Sequence, residues 1–528
     1  MIKAASNKYR WLISSVYFVQ GIVVITGMAE FILTRNAFNF SWLQLAFLSA
    51  LTTLTWCIKP IYGFFTDLLP LFARRRKPYL LISSLLTTLG YIFLAFWGTN
   101  FMLITCALII MNIGLGFSDV IIDGLVVETS TPENVGKYQA LCWRAKATGI
   151  LIASLLSGFI LERAVFSGWL KGTSLTGLLA SLFPMAFSTQ LIGNINILDI
   201  RCLFLFTGLW PLLVFVLTLL FKEPPLAEKI KHDFPSAYIL SAVFAFILTA
   251  LVIIFALSTK PWLPGLSNET ISSVGVILIW SIWIMSYFVH LIKRKQATMT
   301  LFYAAIFLFL WRFTPNFGAP WSNYFINTLK LSQEKLGYVA TLTSLSWIIG
   351  GWLYKQFFDT FPIKKVLFWT VIIGVVLSFS QLAIATPALG NAIGNIWIIK
   401  YSAAILLYPF YFFGYHFGSW QVLMQQPPIL NLDALLSFLL EMMFMISFLP
   451  LLKLAALVTP KGVEATNFSI LASVMNLGLA FGSISGGLIY TYLEGQYHLA
   501  GISFTGLHLT IIIGALTSLI CLPVLRKI

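Results

Sequence analysis

Apolar segments of about twenty residues recur from residue 11 to residue 525 and leave little room for a water-facing domain. A bilayer hydrocarbon core about 30 Å thick is crossed by roughly 20 apolar residues rising about 1.5 Å each, so this repetition dictates a polytopic membrane protein. The pattern predicts helices over 11–33, 41–66, 78–98, 101–127, 137–161, 201–221, 236–257, 270–292, 299–325, 334–357, 363–385, 396–420, 434–458, 465–490 and 503–525. A membrane barrel would show short strands of alternating polarity instead. Composition agrees: 59% of the 528 residues are hydrophobic and 10% are charged, more apolar surface than one soluble core can bury.

The net charge of +15 raises the question of nucleic acid, and the placement of the basic residues answers it. Arg74, Arg75, Arg76 and Lys77, then Lys229 and Lys231, Lys293, Arg294 and Lys295, and Lys364 and Lys365 all fall between hydrophobic segments, as the positive-inside rule requires. No nucleic-acid partner is expected. Lys3, Lys8 and Arg10 at one end and Arg526 and Lys527 at the other favour the cytoplasmic side for both termini. That demands an even number of crossings, so one of the fifteen segments does not span. The weakest is 396–420, which contains Lys400, Pro409, Gly414 and His416 and reads as an outer-face element lying in the interface or re-entering. About fourteen crossings result. The stretch 162–200, with Gly168, Gly172, Gly177 and Pro184, reads as an outer loop in partial contact with the membrane.

Cys57, Cys106, Cys142, Cys202 and Cys521 are scattered through apolar segments without metal-like spacing, so they read as small core residues. No metal or cofactor is expected. The first apolar segment runs past twenty residues without a small-residue cleavage site and reads as a retained helix.

An internal repeat is visible. "FSWLQLAFLSALTTLTWCIKPIYGFFTDLLP" (40–70) parallels "LSQEKLGYVATLTSLSWIIGGWLYKQFFDTFP" (331–362); each starts with a Ser at the outer end of a helix and ends with an acid, a Pro and basic residues. "LVVETSTPENVGKYQALCW" (125–143) is echoed by "LVTPKGVEATNFSILAS" (457–473). Such repeats mark secondary transporters. The division is a six-helix half over 1–221, a cytoplasmic linker with two extra helices over 222–298, and a second six-helix half over 299–528 that carries an outer-face insertion at 386–431.

"GFSDVIIDGLVVETS" (116–130) leaves acids in a membrane helix. At about 1.5 Å per residue, Asp123 lies roughly 7 Å and Asp119 roughly 13 Å above an inner end near Glu128. The two aspartates share a face, while Glu128 points the opposite way at the interface, either as an ordinary helix-end acid or as a gate contact between halves. A charge at that depth costs roughly 2.5–3.5 kcal/mol unless it faces protein or water. Lys59 and Arg144 are candidate partners at matching depth, and Trp143 borders the same space. Lys146 is turned about 200° from Arg144, so only one of the two faces the acids. Two readings stay open: an ion-pair network that fixes packing, or a protonation site whose proton loosens Lys59 or Arg144 and lets the halves rock.

Arg312 falls near the midplane of "LFYAAIFLFLWRFTPNFGAPWSNYFINTL", with Trp311 and Asn316 beside it and Pro315, Gly318 and Pro320 loosening the helix beyond. A guanidinium offers a planar fork to a carboxylate or ring edge and a tryptophan offers a stacking face, so this helix reads as substrate-facing. The other reading makes Arg312 the partner of an acid such as Glu441. Gln20 occupies nearly the equivalent place in the first half and is a weaker substrate candidate.

"GFFTDLLPLFARRRKP" (63–78) places Gly63 and Asp67 on one face ahead of Arg74, Arg75 and Arg76, and resembles the inner-loop motif of the major facilitator superfamily with a longer spacer. There the resemblance implies an inward gate held by charge pairs. "YFVQGI" (17–22), "KPIYGFFTDLLPLFARRRKPYLLIS" (59–83), "FSDVIIDGLVVE" (117–128), "LCWRAKATG" (141–149), "FLFLWRFTPN" (307–316) and "GVEATNFSILASVMNLG" (462–478) together resemble the folate-biopterin transporter family, a branch of that superfamily. The resemblance implies a twelve-helix core and proton-linked movement of pterins or folates, although members also carry other solutes, among them S-adenosylmethionine. The inserted helix pair, the segment 386–431 and the Arg at position 312 depart from the pattern.

The expectation is therefore an all-α, major-facilitator-like secondary transporter, a monomer in a bacterial inner membrane, coupled to protons and carrying a small folate- or pterin-like molecule. A carrier of another small solute (an amino-acid derivative, nucleoside or drug) and a non-transporting scaffold or receptor are the alternatives. No nucleophile–base set or phosphate-binding loop points to an enzyme or an ATP-driven pump.

Overall fold

A computed structural model describes residues 2–129, 135–184, 191–192, 194–223, 236–256, 267–293, 299–315, 317–413, 419–458, 464–499 and 502–528. The first half consists of α1 (Ile2–Ile22), α2 (Trp42–Cys57), α3 (Lys59–Leu68), α4 (Lys77–Trp97), α5 (Phe101–Thr129), α6 (Val135–Glu162) and α7 (Ile197–Leu220). An inserted pair follows, α8 (Ser236–Ala256) and α9 (Asn268–Lys293). The second half holds α10 (Met299–Arg312), α11 (Gly318–Asn323), α12 (Gln333–Leu353), α13 (Ile363–Ala385), α14 (Pro387–Gly394), α15 (Trp397–Phe413), α16 (Pro428–Val458), α17 (Glu464–Tyr492) and α18 (Gly506–Thr517).

Among the described residues, twelve helices are long and apolar enough to cross a membrane. Two expected segments depart from a straight crossing. The predicted helix over 299–325 breaks after Arg312 and resumes at Gly318, because Pro315 cannot donate to the helical ladder. The outer segment 386–431 forms α14 and α15, which meet at an angle of 82°, consistent with an element that does not cross straight through.

Local chemistry explains where the helices start and how closely they pack. Ser41 caps α2 by accepting from the Gln44 N–H while the Gln44 side chain accepts from the Ser41 N–H, a reciprocal box; Ser332 caps α12 by accepting from the Lys335 N–H. Each cap is worth about 1 kcal/mol, and the pair repeats the device at equivalent places in the two halves. Arg201, fully buried, donates to the carbonyls of Leu94 and Gly98 at 2.7 Å each and closes the end of α4. Gly21 and Gly149 let α1 and α6 cross with backbones in contact, since a Cβ on Gly21 would meet the Lys146 carbonyl.

The halves meet where α2 packs on α17 and α6 on α12. Helix α9 packs on α8 and also against both α2 and α17, so the inserted pair covers one seam between the halves.

Candidate functional site

The buried charges of the first half are organised by a break in its second membrane helix. The chain leaves helical geometry at Ile58 (φ −87°, ψ 13°) and resumes with Lys59 and Pro60. Pro60 has no N–H, so the carbonyl of Trp56 four residues earlier loses its helical donor. Asn476 of α17, in the other half, replaces it: its Nδ2 donates to the Trp56 oxygen at 3.2 Å. The Tyr62 hydroxyl serves the neighbouring Thr55 carbonyl at 3.0 Å. At this break Lys59 Nζ lies 2.5 Å from Asp119 Oδ2. One turn further along α5, Asp123 Oδ1 accepts from the Tyr17 hydroxyl at 2.5 Å.

Lys146, not Arg144, completes this cluster. Lys146 Nζ stands 5.6 Å from the ring centre of Trp56, which also carries Lys59 Nζ at 5.1 Å, and 5.6 Å from that of Trp143. Among the described residues the Lys146 ammonium has no hydrogen-bond acceptor. Arg144 lies exposed, as the turn of about 200° between the two positions requires. Gln20 is buried, with neither side-chain amide atom bonded among the described residues.

The second half gathers rings. Arg312 ends α10, and its Cζ lies 5.2 Å from the ring centre of Phe444. Phe444 stacks on Phe448 (5.6 Å, 15°) and on Trp311 (5.7 Å, 30°), and Trp347 lies 5.9 Å away. Trp143 of the first half reaches Phe448 edge-on at 5.9 Å and so joins the row from across the interface. Glu441 Oε2 accepts from Trp347 Nε1 at 2.7 Å. Arg312 has no hydrogen-bond acceptor among the described residues, and no ion pair joins it to Glu441. Gly478 and Gly482 of α17 bring that helix onto the backbone of Phe309 and Thr314, fixing the broken stretch that carries Arg312. Asn316 lies outside the described residues.

At the end of the bundle that carries the basic run, the backbone of that run is held by a carboxylate of its own half. Glu223, just beyond α7, accepts the backbone N–H groups of Arg75, Arg76 and Lys77 at 2.7–3.1 Å, a carboxylate set against the positive end of α4. Arg76 is buried, donates to Thr66 Oγ1 at 3.1 Å and packs on Gly124, where a Cβ would fall 2.6 Å from its guanidinium carbon. Arg74 is half-buried, and its N–H donates to the Leu71 carbonyl. Gly63 faces Val120. The side chains of Asp67 and Glu128 lie outside those described.

At the opposite end the halves are bonded to each other. Glu162 accepts the Glu334 N–H at 2.6 Å, and Arg163 pairs with Glu334 at 3.2 Å, while Glu334 also accepts from the Tyr338 hydroxyl. Trp42 Nε1 donates to Glu494 at 3.0 Å, and Asn36 exchanges hydrogen bonds with Asn327. Sequence reasoning missed these acids, Glu223 and Tyr17, because each gains its meaning from a distant partner. The aromatic row carried one legible signal, the i, i+4 pair Phe444 and Phe448 on one helix face.

The profile of the BT1 family matches residues 20–392 and 434–528, leaving out most of the outer insertion. The chain is 26% identical over 518 residues to the folate-biopterin transporter of Synechocystis sp., covering 97% of this chain and 80% of that one. It is 24% identical to folate transporter 1 of Plasmodium falciparum, covering 96% and 77%. Among solved structures, a POT family transporter in complex with a thioalcohol-conjugated peptide matches with a TM-score of 0.63 at 13% identity, covering 98% of this chain and 96% of that one. A bacterial homologue of the lysosomal transporter Spinster in an inward-facing conformation matches at 0.56 and 13%, covering 100% and 96%. The fold is that of the major facilitator superfamily, and family and neighbours are transporters rather than enzymes. The chain belongs to the BT1 family, the folate-biopterin transporters.

Proposed function

We propose that this protein is a proton-coupled secondary transporter of an anionic, folate- or pterin-like metabolite, working as a monomer by alternating access with both termini in the cytoplasm of a bacterium. The substrate class rests on the named relatives. The coupling rests on one observation: the Lys59–Asp119 pair sits at the helix break whose loosened carbonyl is held by Asn476 of the opposite half.

Charge counting gives the mechanism. With Asp119 and Asp123 ionised, two carboxylates balance the ammoniums of Lys59 and Lys146. Asp123, whose direct partner is the neutral Tyr17 hydroxyl, takes the proton without breaking an ion pair. The cluster is then one positive charge in excess, and an anionic substrate at Lys146 restores neutrality. Proton and anion load together for electrostatic reasons, since an uncompensated charge in the membrane is costly. The loaded form then moves between a state with the Glu162–Glu334 and Trp42–Glu494 contacts closed and one with them open, a population shift that changes the α2–α17 contact at Trp56 and Asn476.

The test is uptake of labelled folate and biopterin by cells making the wild type or Asp123→Asn, with and without a protonophore. Accumulation that both the protonophore and the substitution abolish supports the reading. Accumulation of neither compound ends the substrate assignment, and gradient-driven uptake by Asp123→Asn ends the coupling assignment.

A further inference from the structure

Arg312 lies over Phe444 and Glu441 bonds to Trp347, whose ring lies 5.9 Å from the same Phe444, yet the two opposite charges form no ion pair, an arrangement that a buried pair serving stability alone would not adopt. Glu441 spends one oxygen on Trp347 Nε1; the other has no donor among the described residues. Arg312 likewise has five N–H groups and no acceptor among the described residues. Lys146 of the first half is a third charge, set against two indole rings and without a hydrogen-bond acceptor among the described residues.

We infer that Glu441 and Arg312 read the edge of a flat heterocycle stacked on the Phe444–Phe448–Trp311 row, and that Lys146 holds the acidic tail of the same molecule. The assignment rests on the substrate reading above and adds a polarity to it. A 2-amino-4-oxo pteridine edge offers N–H donors and a carbonyl acceptor side by side. A carboxylate oxygen accepts the donors, a guanidinium donates to the acceptor, and neither can do so while closed on the other. The stacked rings supply the face that a planar bicycle needs. Trp143 touches Phe448 on one side and Lys146 on the other, so the row leads from the ring-reading pair to the tail-reading ammonium. The carrier would grip one substrate with both halves at once, the second half by its ring and the first by its acid.

Binding to purified protein in detergent, followed by tryptophan fluorescence, separates the two ends with three probes: 6-hydroxymethylpterin (ring alone), p-aminobenzoylglutamate (tail alone) and folate. Glu441→Gln is expected to weaken hydroxymethylpterin and folate at least tenfold and to leave p-aminobenzoylglutamate within twofold. Lys146→Gln is expected to do the reverse, sparing the ring probe. Trp347→Phe removes the donor that orients Glu441, together with part of the ring beside Phe444, and is expected to weaken the ring probe about threefold while sparing p-aminobenzoylglutamate, which keeps the assignment testable should Glu441→Gln fail to fold. Wild-type protein that binds none of the probes overturns the substrate reading and this assignment with it. Wild-type binding with no split between ring and tail probes overturns the assignment alone.

Discussion

In the first half Lys59 closes on Asp119 at 2.5 Å and Tyr17 on Asp123 at 2.5 Å, whereas in the second half Arg312 lies over a phenyl ring while the nearest acid, Glu441, bonds to a tryptophan. Both clusters sit on apolar helices and both bear a cation and an acid. The difference is that both acids of the first cluster hold a direct partner, whereas Arg312 and one oxygen of Glu441 have none among the described residues. A satisfied pair stores the protonation state of the carrier, and an unsatisfied pair waits for chemistry from outside. On our reading the first half couples the carrier to protons and holds the acidic tail of the substrate through Lys146, while the second half reads its ring.

That contrast breaks most readily at Lys59. Lys59→Met leaves Asp119 as an uncompensated buried charge and should cost about 3–5 kcal/mol, seen as a large fall in the thermal unfolding midpoint in detergent. Adding Asp119→Leu should recover most of the stability and none of the transport. Arg312→Met breaks no direct ion pair and should lower the midpoint by less than Lys59→Met; a fall as large as that of Lys59→Met would erase the distinction.

Arg312→Lys keeps the charge and loses the planar fork. It should raise the KM for folate about tenfold, equivalent to about 1.4 kcal/mol, with little change in maximal rate. Asn476→Leu leaves the Trp56 carbonyl without its donor from the other half and should destabilise by about 1 kcal/mol while slowing substrate exchange more than it weakens binding.

A polytopic helical membrane protein was legible from hydropathy and the transporter fold from the internal repeat and the motif resemblance, while the depth of Asp119, Asp123, Lys59 and Arg312 was reckoned by counting residues along helices. Such counting places a residue on a face but not against a neighbour. It showed that Arg144 and Lys146 could not both meet the acids, yet the choice between them needed the rotation of α6, which the Gly21–Gly149 crossing sets. Pro315 and Gly318 announced a loosened helix at Arg312. The compensating glycines Gly478 and Gly482, some 165 residues on, did not announce themselves. Glu223 was hidden for a different reason: a carboxylate that caps the α4 N-terminus looks in sequence like one more charge in a polar linker.

Gradient-driven folate uptake into proteoliposomes, compared with counterflow exchange in the same vesicles, tests the central claim most directly. Asp123→Asn fixes the acid in its neutral form. Asp123→Asn should exchange labelled for unlabelled folate at a rate near that of the wild type and fail to accumulate folate when an inward proton gradient is imposed. Accumulation that persists in the variant would contradict the claim that the first half's acids couple the carrier to protons.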